Sequence, residues 1–495
     1  MESKPVRVRF APSPTGHMHL GSARVALYDY LLARKSGGTF ILRIEDTDRK
    51  RYVEGAEKEL IDGLRWLGLE YDEGPDVGGE YGPYHQTERL EIYNTYAWKL
   101  IESGHAYPCF CKSERLEEVR RRQMSNKENP RYDGVCRNID PGEARKRTQQ
   151  GEKFVVRFRM PKEGSTTGVD LLRGPITTEN SALDDSILLR SDGMPTYHFG
   201  AMLDDHLMKI SHVIRGSEWL PTFPLHVNVV RAFGWDEPLW IHLSVFLKPS
   251  GKGKMSKREA AEAVKDGHSI FIRNIRELGY IPEGVLNWIL LMGWGVSEDE
   301  LMTLDEMIDR FDIQNLTPSP AAINFSKLDH FNGTHIRLLD AGDLASRLRP
   351  YFVAAGCTVD DEVLRKIIPL IRERLVTLDD CLYFAQWFFM EKVTPRVEEL
   401  LGKDLDATHS AQVARKVYDV LSSVEEFSPQ IMEPPMRALV EELGLNNSQV
   451  FGIIRVAVTG QAVSPPLFES MAIVGREKVL ERVKAAISIL EGRPG

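Results

Sequence analysis

Val6, Val8 and Phe10 are separated by Arg7 and Arg9, the period-two pattern of a β-strand. From Gly21 the period lengthens, and Ala23, Leu27 and Leu31 recur at helical spacing. TFILRIEDTD (39–48) reads as a second strand ending in carboxylates, followed by a helical pattern over GAEKELIDGLRWLGL (55–69). This alternation predicts an α/β region with a parallel sheet. KFVVRFRM, DSILLRSDG and ISHVIRGSEW supply further strand candidates between residues 153 and 219.

From about residue 335 strand signals vanish and helical periodicity takes over. Leu364, Ile367, Ile371, Leu375 and Leu378 trace one apolar face, with Pro369 as an expected kink. The last third is therefore expected to be all-helical. The boundary is expected near LTPSPAAINF (316–325), where prolines and hydroxyl residues break the periodicity.

A length of 495 residues implies several domains, and 42% hydrophobic with 27% charged residues fits a soluble globular protein. The longest uncharged apolar run, 285–296, is too short for the ~20 residues that cross a bilayer, so no membrane association is expected. The first residues run into a strand pattern without an apolar leader, and five cysteines, an odd number, suit a reducing compartment, so a cytoplasmic location is expected.

A net charge of -9 announces no nucleic-acid partner globally. Residues 109–160 nevertheless hold 14 Lys and Arg against 8 Asp and Glu, with clusters at Arg120, Arg121, Arg122 and at Arg145, Lys146, Arg147. Such an island can track phosphates or be a solvated helix face.

Two segments carry chemistry. APSPTGHMHLGS (11–22) lies at a strand-to-helix junction, where free N–H groups and a helix dipole favour phosphate. There Gly21 lets a flat base approach the backbone, and His19 and His17 can donate to phosphate oxygens. KPSGKGKMSKRE (248–259) is a glycine-rich loop carrying Lys248, Lys252, Lys254, Lys257 and Arg258. Together HLGS (19–22) and KMSKR (254–258) resemble the two signatures of class I aminoacyl-tRNA synthetases. Within that class RFAPSPTG and RIEDTD resemble the glutamyl-tRNA synthetase family. So do PTYHFG (195–200), DDHLMKISHVIRGSEWL (204–220), NFSKLDHFNG (324–333) and RVAVTGQAVSPPLFE (455–469), which extends the similarity along the whole chain.

The resemblance implies a Rossmann-type, doubly wound catalytic domain in two halves, 1–104 and 191–260, the second carrying the KMSKR loop. An acceptor-stem-binding insertion is expected at 105–190, a stem-contact segment at 261–334 and a bacterial-type, helical anticodon-binding domain at 335–495. The implied reaction joins L-glutamate to the 3′ end of tRNA-Glu through glutamyl-adenylate, with ATP as substrate and Mg2+ escorting it. The enzyme is expected to be a monomer. Activation is expected to need tRNA. By the same resemblance Arg9, Ala11, Ser13, Glu45, Tyr197 and Arg215 bind glutamate, Arg215 taking the side-chain carboxylate and Glu45 the ammonium. His17, Gly21, Ser22, Glu218, Trp219, Lys257 and Arg258 contact ATP, with His19, Lys254 and Lys257 catalytic. Ala201 stands where some relatives have an asparagine, so that contact is not carried over. The alternatives are an enzyme that also charges tRNA-Gln, a nucleotidyltransferase acting on a small metabolite, and a catalytically idle tRNA-binding paralogue.

Cys109 and Cys111 are followed, after 24 residues, by Cys136, with Tyr132 four places before it. Short cysteine spacing in a cytosolic chain suggests structural Zn2+, which wants four ligands. Asn138 occupies the position at which some relatives have a histidine, so Tyr132 is the expected fourth donor. The alternative is three ordinary reduced cysteines in a loop.

Overall fold

Strand β1 (Arg7–Phe10) runs parallel to β2 (Thr39–Leu42), and between them lies helix α1 (Leu20–Ser36). The helix starts where His19 caps it, accepting from Ser22 N, and stops at Gly37, whose φ of 62° is left-handed; Arg34 and Lys35 complement its last turn. The structure, a computed structural model, describes residues 5–253, 255, 259, 263–295 and 300–492. It divides into two units. One comprises Met1–Ile275 with Val285–Phe325, the other Arg276–Gly284 with Ser326–Gly495.

In the first unit the chain continues through α2 (Ala56–Trp66), α3 (Leu90–Glu102), β3 (Ala106–Cys109), α4 (Ser113–Ser125), α5 (Pro141–Gln149) and β4 (Val155–Phe158). There follow β5 (Ser165–Asp170), β6 (Gly174–Glu179), β7 (Ile187–Leu189), α6 (Tyr197–Leu207), β8 (His212–Gly216), α7 (Phe223–Ala232) and β9 (Leu239–Leu243). The principal sheet has the order β6-β5-β9-β8. Ser211, just before β8, joins it to β1: its backbone N–H donates to Arg7 O at 2.9 Å, and its hydroxyl accepts from Arg7 N at 2.8 Å. Pairing is parallel throughout except for β5 with β6, so the sheet is mixed. Residues 165–179 enter it through the pairing of Asp170 with Trp240.

Helix α1 packs on β1 and β8, and α7 on β5. Val8, Phe40, Ile41, Leu42, Val213, Ile214 and Ile241 are sealed, as expected of parallel strands covered by helices. A second sheet, antiparallel β3-β4-β7, carries its own small cluster of Tyr107, Cys109 and Cys136.

The second unit is helical, and among the described residues no strand follows Ala322. Leu364, Ile367, Ile371, Leu375 and Leu378, the stripe read from the sequence, are all in its core. Pro369 lies inside the helix Asp361–Ile371, which gives way to a 3-10 turn at Arg372–Arg374. No helix among the described residues is long and apolar enough to cross a membrane.

Candidate active site

Parallel strands deliver their last side chains to one edge of the sheet, where open α/β folds bind ligands. Arg9 is the penultimate residue of β1, Arg215 of β8 and His242 of β9, while Arg43 and Glu45 follow β2 directly. Helix α6 presents Tyr197 and His198 at its start and Asp204 and Asp205 near its end; α7 adds His226.

Four charges form the floor. Arg9 Nε donates to Asp205 Oδ1 at 2.9 Å and its Nη1 to Ile214 O at 3.1 Å. Arg43, fully buried, donates to the same Asp205 oxygen at 2.7 Å and to Glu45 Oε1 at 3.0 Å. Burial works to raise the Asp205 carboxyl, but the guanidinium groups of Arg9 and Arg43 hold it below its usual range. Glu45 fares differently: burial pushes it up to about 7 against the pull of Arg43 and Arg9. It is thus an acid whose ionisation is completed by a further cation, which an α-ammonium can supply.

Above this floor Arg215, 4% exposed, is held by two imidazoles: its Nε donates to His242 Nε2 at 3.0 Å, and its Nη2 lies 2.9 Å from His226 Nδ1. Its Nη1 is buried without a hydrogen-bond partner. A buried guanidinium nitrogen without an acceptor in the chain calls for one from outside it, a water or a ligand oxygen. Tyr197 stacks on Trp219 with ring centroids 3.7 Å apart. Burial drives the Tyr197 phenol to about 12, and Arg215, Glu45 and Arg9 all act on it electrostatically, so these four expected residues lie close together.

The loop before α1 reaches the same edge: Glu45 N donates to Pro12 O at 3.0 Å, which sets Ala11 and the exposed Ser13 beside Glu45. His19 is exposed at the helix N-terminus, its Nε2 3.3 Å from the Ser22 hydroxyl. Gly21 has a steric reason as well, since a Cβ there would come within 2.9 Å of the His19 ring. His17 is engaged with Glu59 at 2.7 Å. Glu218 is exposed and lies near enough to the buried Arg24 of α1 to act on it electrostatically. The expected contacts of Lys254, Lys257 and Arg258 lie outside the described residues.

Sequence reasoning missed Arg43, Asp204, Asp205, His198, His226 and His242. Arg43 offered one signal, a lone charge between Leu42 and Ile44 in an otherwise sealed strand end.

The small sheet gathers the cysteines. The sulfurs of Cys109, Cys111 and Cys136 lie within 4.8 Å of one another, and the Tyr132 hydroxyl is 3.4 Å from Cys109 Sγ and 3.6 Å from Cys111 Sγ. Hydrogen bonds, from Cys136 first and then Tyr132, lower the Cys109 thiol, while the same contacts and burial raise Cys136 and the Tyr132 phenol, so one thiolate forms readily and the other donors would release their protons to a metal. Three thiols and a phenol around one point fit the donor chemistry of structural zinc. Nearby, Arg120, Arg121, Arg122, Arg145 and Lys146 face solvent on α4 and α5, whereas Arg147 pairs with Glu152 and covers Phe110.

Comparison with known proteins accords with this geometry. Residues 5–330 match the family described as tRNA synthetases class I (E and Q), catalytic domain, and residues 343–487 match an anticodon binding domain. The glutamate–tRNA ligase of Dehalococcoides mccartyi strain 195 is 41% identical over 495 residues, 99% of each chain. That of Chloroflexus aurantiacus is 43% identical over 504 residues, 98% of each. A crystal structure of the glutamate tRNA ligase from Elizabethkingia meningosepticum, in complex with its amino acid, superposes with a TM-score of 0.89 at 35% identity, covering 98% of this chain and 100% of that one. With a matching catalytic domain, a matching anticodon domain and relatives similar from end to end, the chain belongs to the glutamate–tRNA ligase family of class I aminoacyl-tRNA synthetases.

Proposed function

We propose that this chain attaches L-glutamate to the 3′ end of tRNA-Glu in two steps. The α-carboxylate of glutamate attacks the α-phosphate of Mg2+-bound ATP, pyrophosphate leaves, and glutamyl-adenylate remains. The terminal ribose 2′-hydroxyl of the tRNA then attacks the activated carbonyl and AMP departs. No protein nucleophile takes part; the protein positions both substrates and meets developing charge.

The observation that carries this reading is the Arg215 guanidinium, buried with Nη1 unpartnered beside Tyr197, whose phenol the acid Glu45 also reaches electrostatically. Glutamate matches that pair of charges: its side-chain carboxylate suits Arg215, its ammonium suits Glu45. Glutamine offers one acceptor oxygen and an NH2 group, which a guanidinium rejects. Arg9, Ala11, Ser13 and Tyr197 complete the amino-acid site. His19, Lys254 and Lys257 attend the phosphates, with Gly21, Ser22, His17, Glu218, Trp219 and Arg258 around the nucleotide. The full-length relationship to ligases, helical unit included, favours this over a nucleotidyltransferase, which would leave that unit without a task.

In the same reading the 105–190 region, with its exposed arginines, contacts the acceptor stem. Zinc held by Cys109, Cys111, Cys136 and Tyr132 stiffens that region and takes no part in the chemistry. The enzyme acts as a monomer in the cytoplasm. Glutamate-dependent exchange of labelled pyrophosphate into ATP, run with and without tRNA-Glu, tests the proposal: exchange is expected only with tRNA. Charging of tRNA-Gln, read in parallel, decides whether one tRNA or two are substrates.

A further inference from the structure

Arg215 is the centre of a chain of buried polar groups that the reaction itself does not use. Asp170, on β5, accepts from His242 Nδ1 at 2.7 Å and from the His242 backbone N–H at 2.9 Å. His242 Nε2 accepts from Arg215 Nε, His226 Nδ1 lies at Arg215 Nη2, and His226 Nε2 is 2.9 Å from His198 Nδ1. A guanidinium can only donate, so both imidazoles must offer it a lone pair. The proton of His242 then sits on Nδ1, aimed at Asp170, and that of His226 on Nε2, aimed at His198. His226 and His242 are completely buried.

We propose that His226 and His242 are specificity-determining positioning residues, which as paired acceptors lock the Arg215 fork so that Nη1 is left for the side-chain carboxylate of glutamate. The inference rests on the reading of Arg215 as the carboxylate binder. Its physical content is preorganisation: a guanidinium on a flexible stem, tied at Nε and Nη2, has one orientation left. Using imidazoles rather than carboxylates as the ties matters. A carboxylate would neutralise Arg215 and weaken its hold on a substrate anion, whereas a neutral imidazole fixes the group and leaves its charge for the ligand. Both rings are suited to remaining neutral: burial first, and the Arg215 charge with it, lowers the affinity of each for a second proton, and for His242 the opposing pull of Asp170 does not reverse this. The groups facing the pair are Arg215 and each other, His198 and Tyr197 from α6, Asp170 from β5, and Arg173, which donates to His242 O at 3.2 Å and adds its charge against a second proton.

The test compares variants that remove an acceptor with variants that keep one. His226→Leu and His242→Leu lack any lone pair, whereas His226→Asn places an amide oxygen near the former Nδ1 and His242→Gln near the former Nε2. KM for glutamate, KM for ATP and kcat are measured in aminoacylation of tRNA-Glu, with melting curves for every variant. The leucine variants are expected to raise glutamate KM about tenfold or more, the size of a lost hydrogen bond to a charged group, with ATP KM within about twofold of the parent. The amide variants should recover most of that loss. Equal effects of leucine and amide variants, or losses shared by both substrates and tracking the melting temperature, would reduce the histidines to packing residues and overturn the proposal. Arg215→Ala separates the two claims. If it leaves glutamate KM unchanged, the assignment of Arg215 itself fails; if it raises KM while the histidine variants do not, only the positioning role fails.

Discussion

Arg9 and Asp205, 196 positions apart in sequence, meet at 2.9 Å with 4% of either side chain exposed, and Arg43 takes the same carboxylate oxygen from the other side. One acid therefore compensates two sealed guanidinium groups, each placed at the end of a different strand. Under the proposed function, their place beside Glu45 links the stability of the sheet edge to recognition of the amino acid.

Replacing Asp205 by Asn keeps the shape and removes the charge, leaving two buried cations with Glu45 and, 3.9 Å from Arg43, Asp204 as the remaining counter-charges. Breaking a buried pair of this kind costs about 3–5 kcal/mol. Urea unfolding of the catalytic region is expected to shift by that amount; a change under about 1 kcal/mol would show that Asp205 is not the counter-charge.

Glu45 is paired with Arg43, but burial outweighs that pairing, so it makes stability depend on pH in the opposite sense to an acid whose ion pair dominates. Its folded-state value of about 7 lies above the ordinary 4.5, so between these values the native protein binds the extra proton. Stability therefore falls as pH rises through that window, and above it the native state bears the full burial penalty. The melting temperature of Glu45→Gln relative to the parent should rise as pH goes from 4.5 to 8, while glutamate KM rises. A difference independent of pH would contradict the assignment of a raised acid.

The cysteine cluster predicts metal and a particular kind of loss. The purified protein should carry close to one equivalent of zinc, and Cys109→Ser should fall below about half an equivalent by elemental analysis. KM for tRNA should increase, with glutamate and ATP KM unaffected. Zinc-free protein with unchanged tRNA KM would leave the cysteines as ordinary packing groups.

At the nucleotide end, His19→Ala and Lys257→Ala each remove a donor expected to face the triphosphate. Loss of one such donor costs about 100- to 1000-fold in kcat. Pyrophosphate exchange is expected to drop accordingly, with tRNA affinity, measured by filter binding, little altered. An equal fall in tRNA binding would assign these residues elsewhere.

Some of this architecture was readable in the residues alone. The apolar stripe from Leu364 to Leu378 and the strand-helix junction at HLGS announce themselves because burial of one face imposes a period, and cysteine spacing reports that three sulfurs can converge. Period says little about which charges are buried. Arg7 and Arg9 look alike in the alternation of β1, yet Arg9 is sealed against Asp205 of α6 and Ile214 of β8, whereas Arg7 pairs with Glu73 and keeps 12% of its side chain exposed. The histidines around Arg215 come from α6, α7 and β9, and only the sheet order brings β8 beside β9. Each taken singly reads as an unremarkable core histidine. The residues that tune a binding group are less legible than the group itself, because tertiary contacts rather than local pattern give them their role.

The most direct measurement is aminoacylation of transcribed tRNA-Glu by the purified protein with glutamate or glutamine as the amino acid. Charging with glutamate at a kcat/KM at least about 1000-fold above that for glutamine is the expected result, because a guanidinium built for two oxygens leaves the amide unpaired. Comparable charging with both amino acids, or none with glutamate, would contradict recognition of the side-chain carboxylate by Arg215.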